Sequence, residues 1–286
     1  MINRVFFYLI LCFLVNFTGF AQGTVMESLS FQSDKLGKKV AYSIYLPEDY
    51  NTSQRTYPVL YLLHGYSDNE TNWVQSGQVK TIADKAIANE TAVPMIIVMP
   101  DAWDTWYVNQ YDGKAPYEDM FFEELIPYME KTYRIRSTKE SRAIAGLSMG
   151  GYGSFLYSLH HPEMFSACAP LSAAVFDDNV MKARQSNSHK DLYFRLFGPG
   201  LEYWKKNSVL QILSESNENN LPRVRYYIDC GDDDYLLEGN FQVHKLMQEK
   251  KIPHEFRVRD GGHSWSYWRS ALPEVLKFVS LSFSRS

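Results

Sequence analysis

The residues of this chain best suited to chemistry are a serine, a histidine and an aspartate in its second half. Ser148 stands in Gly146-Leu147-Ser148-Met149-Gly150, a match to G-x-S-x-G. Glycines two before and two after a serine let a strand turn sharply into a helix, which leaves the hydroxyl exposed at the helix N-terminus. A hydroxyl is a poor nucleophile until an imidazole takes its proton, and that imidazole needs a carboxylate to fix its tautomer. Such a set performs acyl transfer. Five residues alone are a weak motif, but their surroundings strengthen it. The apolar run Ala143–Gly146 precedes the serine, and Tyr152, Phe155, Leu156 and Leu159 repeat at helical spacing after it.

The chain holds seven histidines. His160 and His161 close the helix after Ser148, ahead of Pro162. His189, His244 and His254 sit in polar or helical contexts that read as surface, and His64 reads as a structural hydrogen-bonder. His263 remains, in Asp260-Gly261-Gly262-His263-Ser264-Trp265, between a last strand (Glu255–Val258) and a last helix. Where a G-x-S-x-G turn carries a nucleophile, the chain order is serine, acid, histidine, which places the acid just after the preceding strand. There, Asp232, Asp233 and Asp234 are adjacent, and position alone does not choose among them. Asp234 is favoured because Tyr235-Leu236-Leu237 would anchor it, with the other two as turn residues. A calcium loop is disfavoured by the absence of alternating ligands and an internal glycine.

Acyl transfer builds negative charge on the carbonyl oxygen, so backbone N–H donors are needed. The Met149 amide is one expected donor, and the Tyr66 amide, in Leu63-His64-Gly65-Tyr66-Ser67-Asp68, is the other. Aromatic residues crowd the loops expected at the carboxyl edge of the sheet. Trp73, Trp106 and Trp265 are read as lining a cleft for sugar rings or an aromatic acyl group. The chemistry calls for no cofactor and no metal.

Several elements must position these groups. Met26–Gln32 and Lys39–Leu46 alternate apolar and polar residues, as an edge strand pair does. Val59–Leu63, Met95–Met99, Ala143–Gly146 and Arg225–Cys230 are nearly continuous apolar runs, which suits strands buried on both faces. Helices are expected at Thr81–Asn89, at Tyr117–Tyr133 and after Ser148. The alternation predicts an α/β chain with a mainly parallel central sheet and helices on both faces. Residues 172–222 break the pattern and are read as a small insertion over the carboxyl edge.

Residues 1–21 read as a cleaved signal peptide: Arg4, an uncharged run from Val5 to Val15, then Gly19-Phe20-Ala21 before Gln22. The run is too short to cross roughly 30 Å of hydrocarbon, so a secreted or periplasmic product without stable membrane association is expected. One domain, 22–286, follows. Loss of Arg4 takes the formal charge from −4 to −5, which implies no nucleic-acid partner. At 45% apolar and 22% charged residues, one core of this size needs no disulfide staple. Cys168 and Cys230 are read as buried free thiols, with a bond between adjacent strands as the alternative.

Five pieces in order resemble the esterase D-like family, which includes feruloyl and acetyl xylan esterases of carbohydrate esterase family 1. They are Leu63-His64-Gly65 with Trp73 downstream, Met99-Pro100-Asp101, Ala145–Gly151, Cys230–Leu236 and Gly261–Trp265. The resemblance implies the α/β-hydrolase fold and a serine esterase acting on acyl esters of carbohydrates, with feruloyl or other hydroxycinnamoyl esters of plant cell walls foremost. A carbohydrate acetyl esterase, a general short-chain esterase and an acyltransferase of the same fold are the alternatives. The family's thioesterases on S-formylglutathione are cytosolic, which export disfavours. A binding protein without the chemistry is disfavoured by the retained serine, histidine and glycines.

Overall fold

The computed structural model describes residues 22–216 and 223–283. The expected signal peptide and residues 217–222 at the end of the insertion lie outside them. Eight strands form one sheet in the order β1-β2-β4-β3-β5-β6-β7-β8. They are β1 Thr24–Ser33, β2 Lys38–Leu46, β3 Val59–Leu63, β4 Ile96–Pro100, β5 Arg142–Leu147, β6 Ala167–Leu171, β7 Arg225–Gly231 and β8 His254–Arg259. The β1–β2 and β2–β4 pairs are antiparallel, and every pair from β4 to β8 is parallel. This is the α/β-hydrolase fold.

The apolar runs explain the layering. Successive side chains of a strand point to opposite faces. Val59, Tyr61 and Leu63 therefore join one core with the helix Met149–His160, whereas Leu60 and Leu62 join another with the helices Val79–Ala88 and Trp265–Phe283. Both faces are buried, as continuous rather than alternating hydrophobicity requires.

One strand escaped the sequence reading. Ala167-Cys168-Ala169-Pro170-Leu171 is short, made mostly of small residues and carries a proline, which argues against a central strand. It nevertheless sits between β5 and β7. Its ladder to β7 pairs Ala167 with Arg225 and Cys168 with Tyr226, then resumes only at Leu171 with Asp229. The proline, which has no N–H to give, falls in that gap.

The register also settles the cysteines. Cys168 lies opposite Tyr226, four residues along the strand from Cys230, or roughly 13 Å at strand rise. That separation is far beyond disulfide reach. Both are buried free thiols.

The expected helix Tyr117–Tyr133 runs as Tyr117–Met120, one π turn Phe121–Leu125, and Ile126–Thr132. Pro127 has no N–H for the regular ladder, and a wider turn just before it absorbs the irregularity. The insertion is helical. Its segments Asp178–Arg184, Lys190–Phe197, Glu202–Asn207 and Val209–Glu215 turn Tyr193, Leu196, Phe197, Trp204 and Leu213 inward. Arg195 pairs with Asp104 at 2.7 Å, and the Tyr152 hydroxyl donates to the Asn207 carbonyl at 2.8 Å, fastening this cover to a loop at the sheet's edge and to the helix Met149–His160. No described helix is long and apolar enough to cross a membrane.

Candidate active site

Ser148 follows β5 and precedes the first residue of the helix Met149–His160, with φ 54° and ψ −114°. A non-glycine residue held there costs on the order of 1–3 kcal/mol. Hydrogen bonds offset that cost: the Ser148 amide donates to Leu171 at 3.0 Å, and its carbonyl accepts from Ala174 and Tyr152, each at 3.0 Å. The flanking glycines are required by close approach. A Cβ on Gly146 would lie 2.4 Å from the Gly150 carbonyl oxygen, and one on Gly150 would lie 2.5 Å from that of Leu63.

His263 follows β8 and Asp234 follows β7, so parallel neighbours deliver both to the edge that carries Ser148. His263 Nε2 lies 3.0 Å from Ser148 Oγ, and its Nδ1 lies 2.9 Å from Asp234 Oδ2 and 3.1 Å from Oδ1. A carboxylate can only accept, so Nδ1 carries the proton and Nε2 is left to accept from the serine. Burial pushes the Asp234 carboxyl up, but hydrogen bonds from His263, the Leu236 amide and Ser172 outweigh it and hold the group below the ordinary Asp range. Trp268 Nε1 in turn donates to Ser172 Oγ at 3.1 Å, and the Trp268 ring stands edge-on to His263 at 4.9 Å. Asp232 and Asp233 are exposed.

The remaining histidines take structural places. His64 Nε2 accepts from the Ala102 amide at 2.9 Å and its Nδ1 donates to the Gly65 carbonyl at 2.8 Å, which defines a neutral ring. Asp101 Oδ1, 3.5 Å from the same Nε2, is therefore a neighbour and not an ion-pair partner. His160 and His161 both reach the buried Glu118, at 2.8 and 3.1 Å.

A cavity of about 120 Å³ opens over Ser148, lined by Tyr66, Met149, Trp106, Phe176, Arg184, Tyr193, Tyr235 and their neighbours. Among the described residues the amides of Tyr66 and Met149 have no acceptor, as donors reserved for a ligand oxygen would not. Trp106 lines this cleft. Trp73 and Trp265 do not. Trp73 is fully buried, with Nε1 donating to Leu63 at 3.0 Å, and Trp265 stands edge-on to Trp73 at 5.2 Å and to Trp268 at 5.4 Å. Loop position suggested a cleft for both, but they form an aromatic cluster packed on the opposite core. His189, read as plain surface, lies at the cleft. Ser172, Phe176, Arg184 and Tyr193 carry no site signal in the sequence, because they belong to a segment whose path the hydrophobic pattern does not define. A wider groove of about 480 Å³, near Gln211, Gln242 and Lys245, contains none of the three reactive groups.

Known proteins can be set beside this geometry. The family described as "Putative esterase" matches residues 33–279. The chain is 35% identical over 164 residues to an endo-1,4-beta-xylanase/feruloyl esterase of Xylanibacter ruminicola, covering 55% of this chain and 23% of that protein. It thus spans less than a quarter of that relative. It is 22% identical over 268 residues to an acetyl esterase of Caldicellulosiruptor saccharolyticus, covering 88% of this chain and 97% of that one. Among solved structures, a ferulic acid esterase superposes with a TM-score of 0.80 at 35% identity, over 92% of this chain and 99% of the other. With its sheet order, its serine turn and a family match across most of its length, the chain belongs to the esterase family.

Proposed function

We propose that this chain is a serine carboxylesterase that hydrolyses acyl esters of carbohydrates through an acyl-enzyme. The observation that carries the reading is the hydrogen-bonded line Ser148–His263–Asp234 at the floor of a cleft. In this reaction, Ser148 Oγ attacks the ester carbonyl while His263 Nε2 takes its proton, and Asp234 keeps Nδ1 protonated and the ring in place. The amides of Tyr66 and Met149 receive the developing oxyanion, each worth a few kcal/mol. The imidazolium then protonates the departing alkoxide, and water repeats the cycle on the acyl-serine.

The acyl group proposed is feruloyl or a related hydroxycinnamoyl. The feruloyl esterase and ferulic acid esterase among the 35%-identical relatives support this, as does the aromatic lining of the cleft. Acetyl is the second reading, supported by the acetyl esterase that matches over nearly its full length.

Ser148→Ala should lower kcat on p-nitrophenyl acetate by on the order of a millionfold, with the far-ultraviolet circular dichroism unchanged. Retained turnover would remove the nucleophile assignment. Comparing kcat/KM for methyl ferulate and an acetyl ester of the same alcohol decides the acyl group, and an acetyl preference would replace the feruloyl reading.

A further inference from the structure

Arg184 closes the insertion's helix Asp178–Arg184 and lines the cleft over Ser148. Its guanidinium lies 4.0 Å from the Phe176 ring centre and 5.5 Å from that of Tyr193, and Nη1 donates to the Tyr193 hydroxyl at 2.8 Å. No carboxylate pairs with it among the described residues, and its Nε is buried without an acceptor. Three other arginines, by contrast, meet an acid: Arg142 with Glu130, Arg195 with Asp104 and Arg259 with Asp229.

Trp106 packs on the same two rings, 5.8 Å from Phe176 and 5.7 Å from Tyr193 between ring centres, and shows the same feature. It is 5% exposed, lines the same cleft, and its Nε1–H has no acceptor. Its backbone is held at φ 55°, beside Tyr107 at φ 60°, conformations that bulky residues rarely adopt. Both donors are fixed in place. Gln185, next to Arg184, donates to the carbonyls of Gly198 at 3.1 Å and Gly200 at 2.8 Å, and the Asp177 side chain caps the helix. Two pinned, buried donors without acceptors in one cleft are costly unless a ligand supplies them.

We infer that Arg184 and Trp106 are specificity-determining residues that donate to acceptor oxygens carried by the cleft-bound part of the substrate, apart from its scissile ester. This rests on the ester-hydrolase reading and deepens it. The chemistry has two sources, the phenol and methoxy oxygens of a hydroxycinnamate or the carboxylate of a dicarboxylic acid monoester. A guanidinium suits either, and an anionic oxygen most strongly.

Two matched substrate pairs separate them. Methyl ferulate and methyl cinnamate differ in ring oxygens, and p-nitrophenyl hemiglutarate and p-nitrophenyl valerate differ in a carboxylate. The wild-type enzyme is expected to favour the oxygenated member of at least one pair in kcat/KM. Arg184→Met should cut that preference by about tenfold or more, and Trp106→Phe, which removes only the N–H, by a few-fold. Because each readout is a ratio within one protein, partial loss of folded enzyme does not move it. The pair that responds identifies the source. If only the hemiglutarate pair responds, the hydroxycinnamoyl reading falls and this inference stands. If both ratios are unchanged in Arg184→Met, or no preference exists in the wild type, the inference is overturned. Should no ester be turned over, binding of methyl ferulate and methyl cinnamate to Ser148→Ala, with and without Arg184→Met, reads the same preference by calorimetry.

Discussion

Three consecutive aspartates follow β7, and their side-chain directions separate them. Asp234 is 4% exposed, accepts from the Leu236 amide at 2.9 Å and faces both sides of the His263 proton. Asp232 turns the other way and accepts from the Gly261 amide at 3.0 Å. Asp234→Asn should therefore lower kcat by roughly four orders of magnitude through the wrong histidine tautomer, while Asp232→Asn and Asp233→Asn cost far less. Steady-state rates of the three variants on p-nitrophenyl acetate check this, and a larger loss at Asp232 or Asp233 would move the acid. The residue scale was legible where a motif forces geometry, as at Ser148, or where fold order leaves one candidate, as at His263. It was not legible for Trp73 and Trp265. An aromatic in a loop can face a ligand or pack on its neighbours, and nothing local distinguishes the two. Ser172, which holds the acid from behind, carries no sequence signal because its contacts to Trp268 and Asp234 are made across the fold.

At the scale of elements, the buried parallel strands and the helix after the serine could be read from hydrophobic period. What could not be read was set by tertiary partners. The helices of residues 172–222 are stabilised by aromatics that bury against Tyr152 and Trp106, partners far away in sequence. A similar cross-element contact is the clamp in which Glu118 faces His160 and His161, while His160 Nε2 donates to the Lys206 carbonyl of the insertion at 3.0 Å. Burial opposes the charge on Glu118 and on His160. The two imidazoles nevertheless hold the Glu118 carboxyl below its usual range, and Glu118 raises the His160 pKa. The lowered Glu118 contributes stability above its unfolded value of about 4.3, lost as pH falls through the folded value. The raised His160 contributes below about 6.5, lost as pH rises through its folded value. The clamp should thus hold best between those limits. Glu118→Gln is expected to lower Tm by roughly 2–4 °C near pH 5.5, for about 1 kcal/mol, and by less at about pH 9. Thermal melts across that range measure it, and a pH-independent loss would reduce the clamp to simple packing.

For the whole molecule, the uncharged run Val5–Val15 and the small residues before Gln22 lead us to propose export. Protein recovered from the culture medium or periplasm should begin at Gln22 by amino-terminal sequencing, and a product retaining Met1 would overturn the proposal. The two buried thiols fit a fold that needs no cross-link in any compartment. The chain positions of the three reactive residues have a further consequence. Ser148 leaves β5 in the middle of the sheet, whereas Asp234 and His263 hang from β7 and β8, the last strands to be made. His263 is also held through Trp268, on the final helix. A ribosome delivers the proposed nucleophile more than a hundred residues before its proposed base. On the proposed mechanism the growing chain carries an inert serine until β7, β8 and the helix Trp265–Phe283 have docked, so hydrolytic competence would report the docking of those elements.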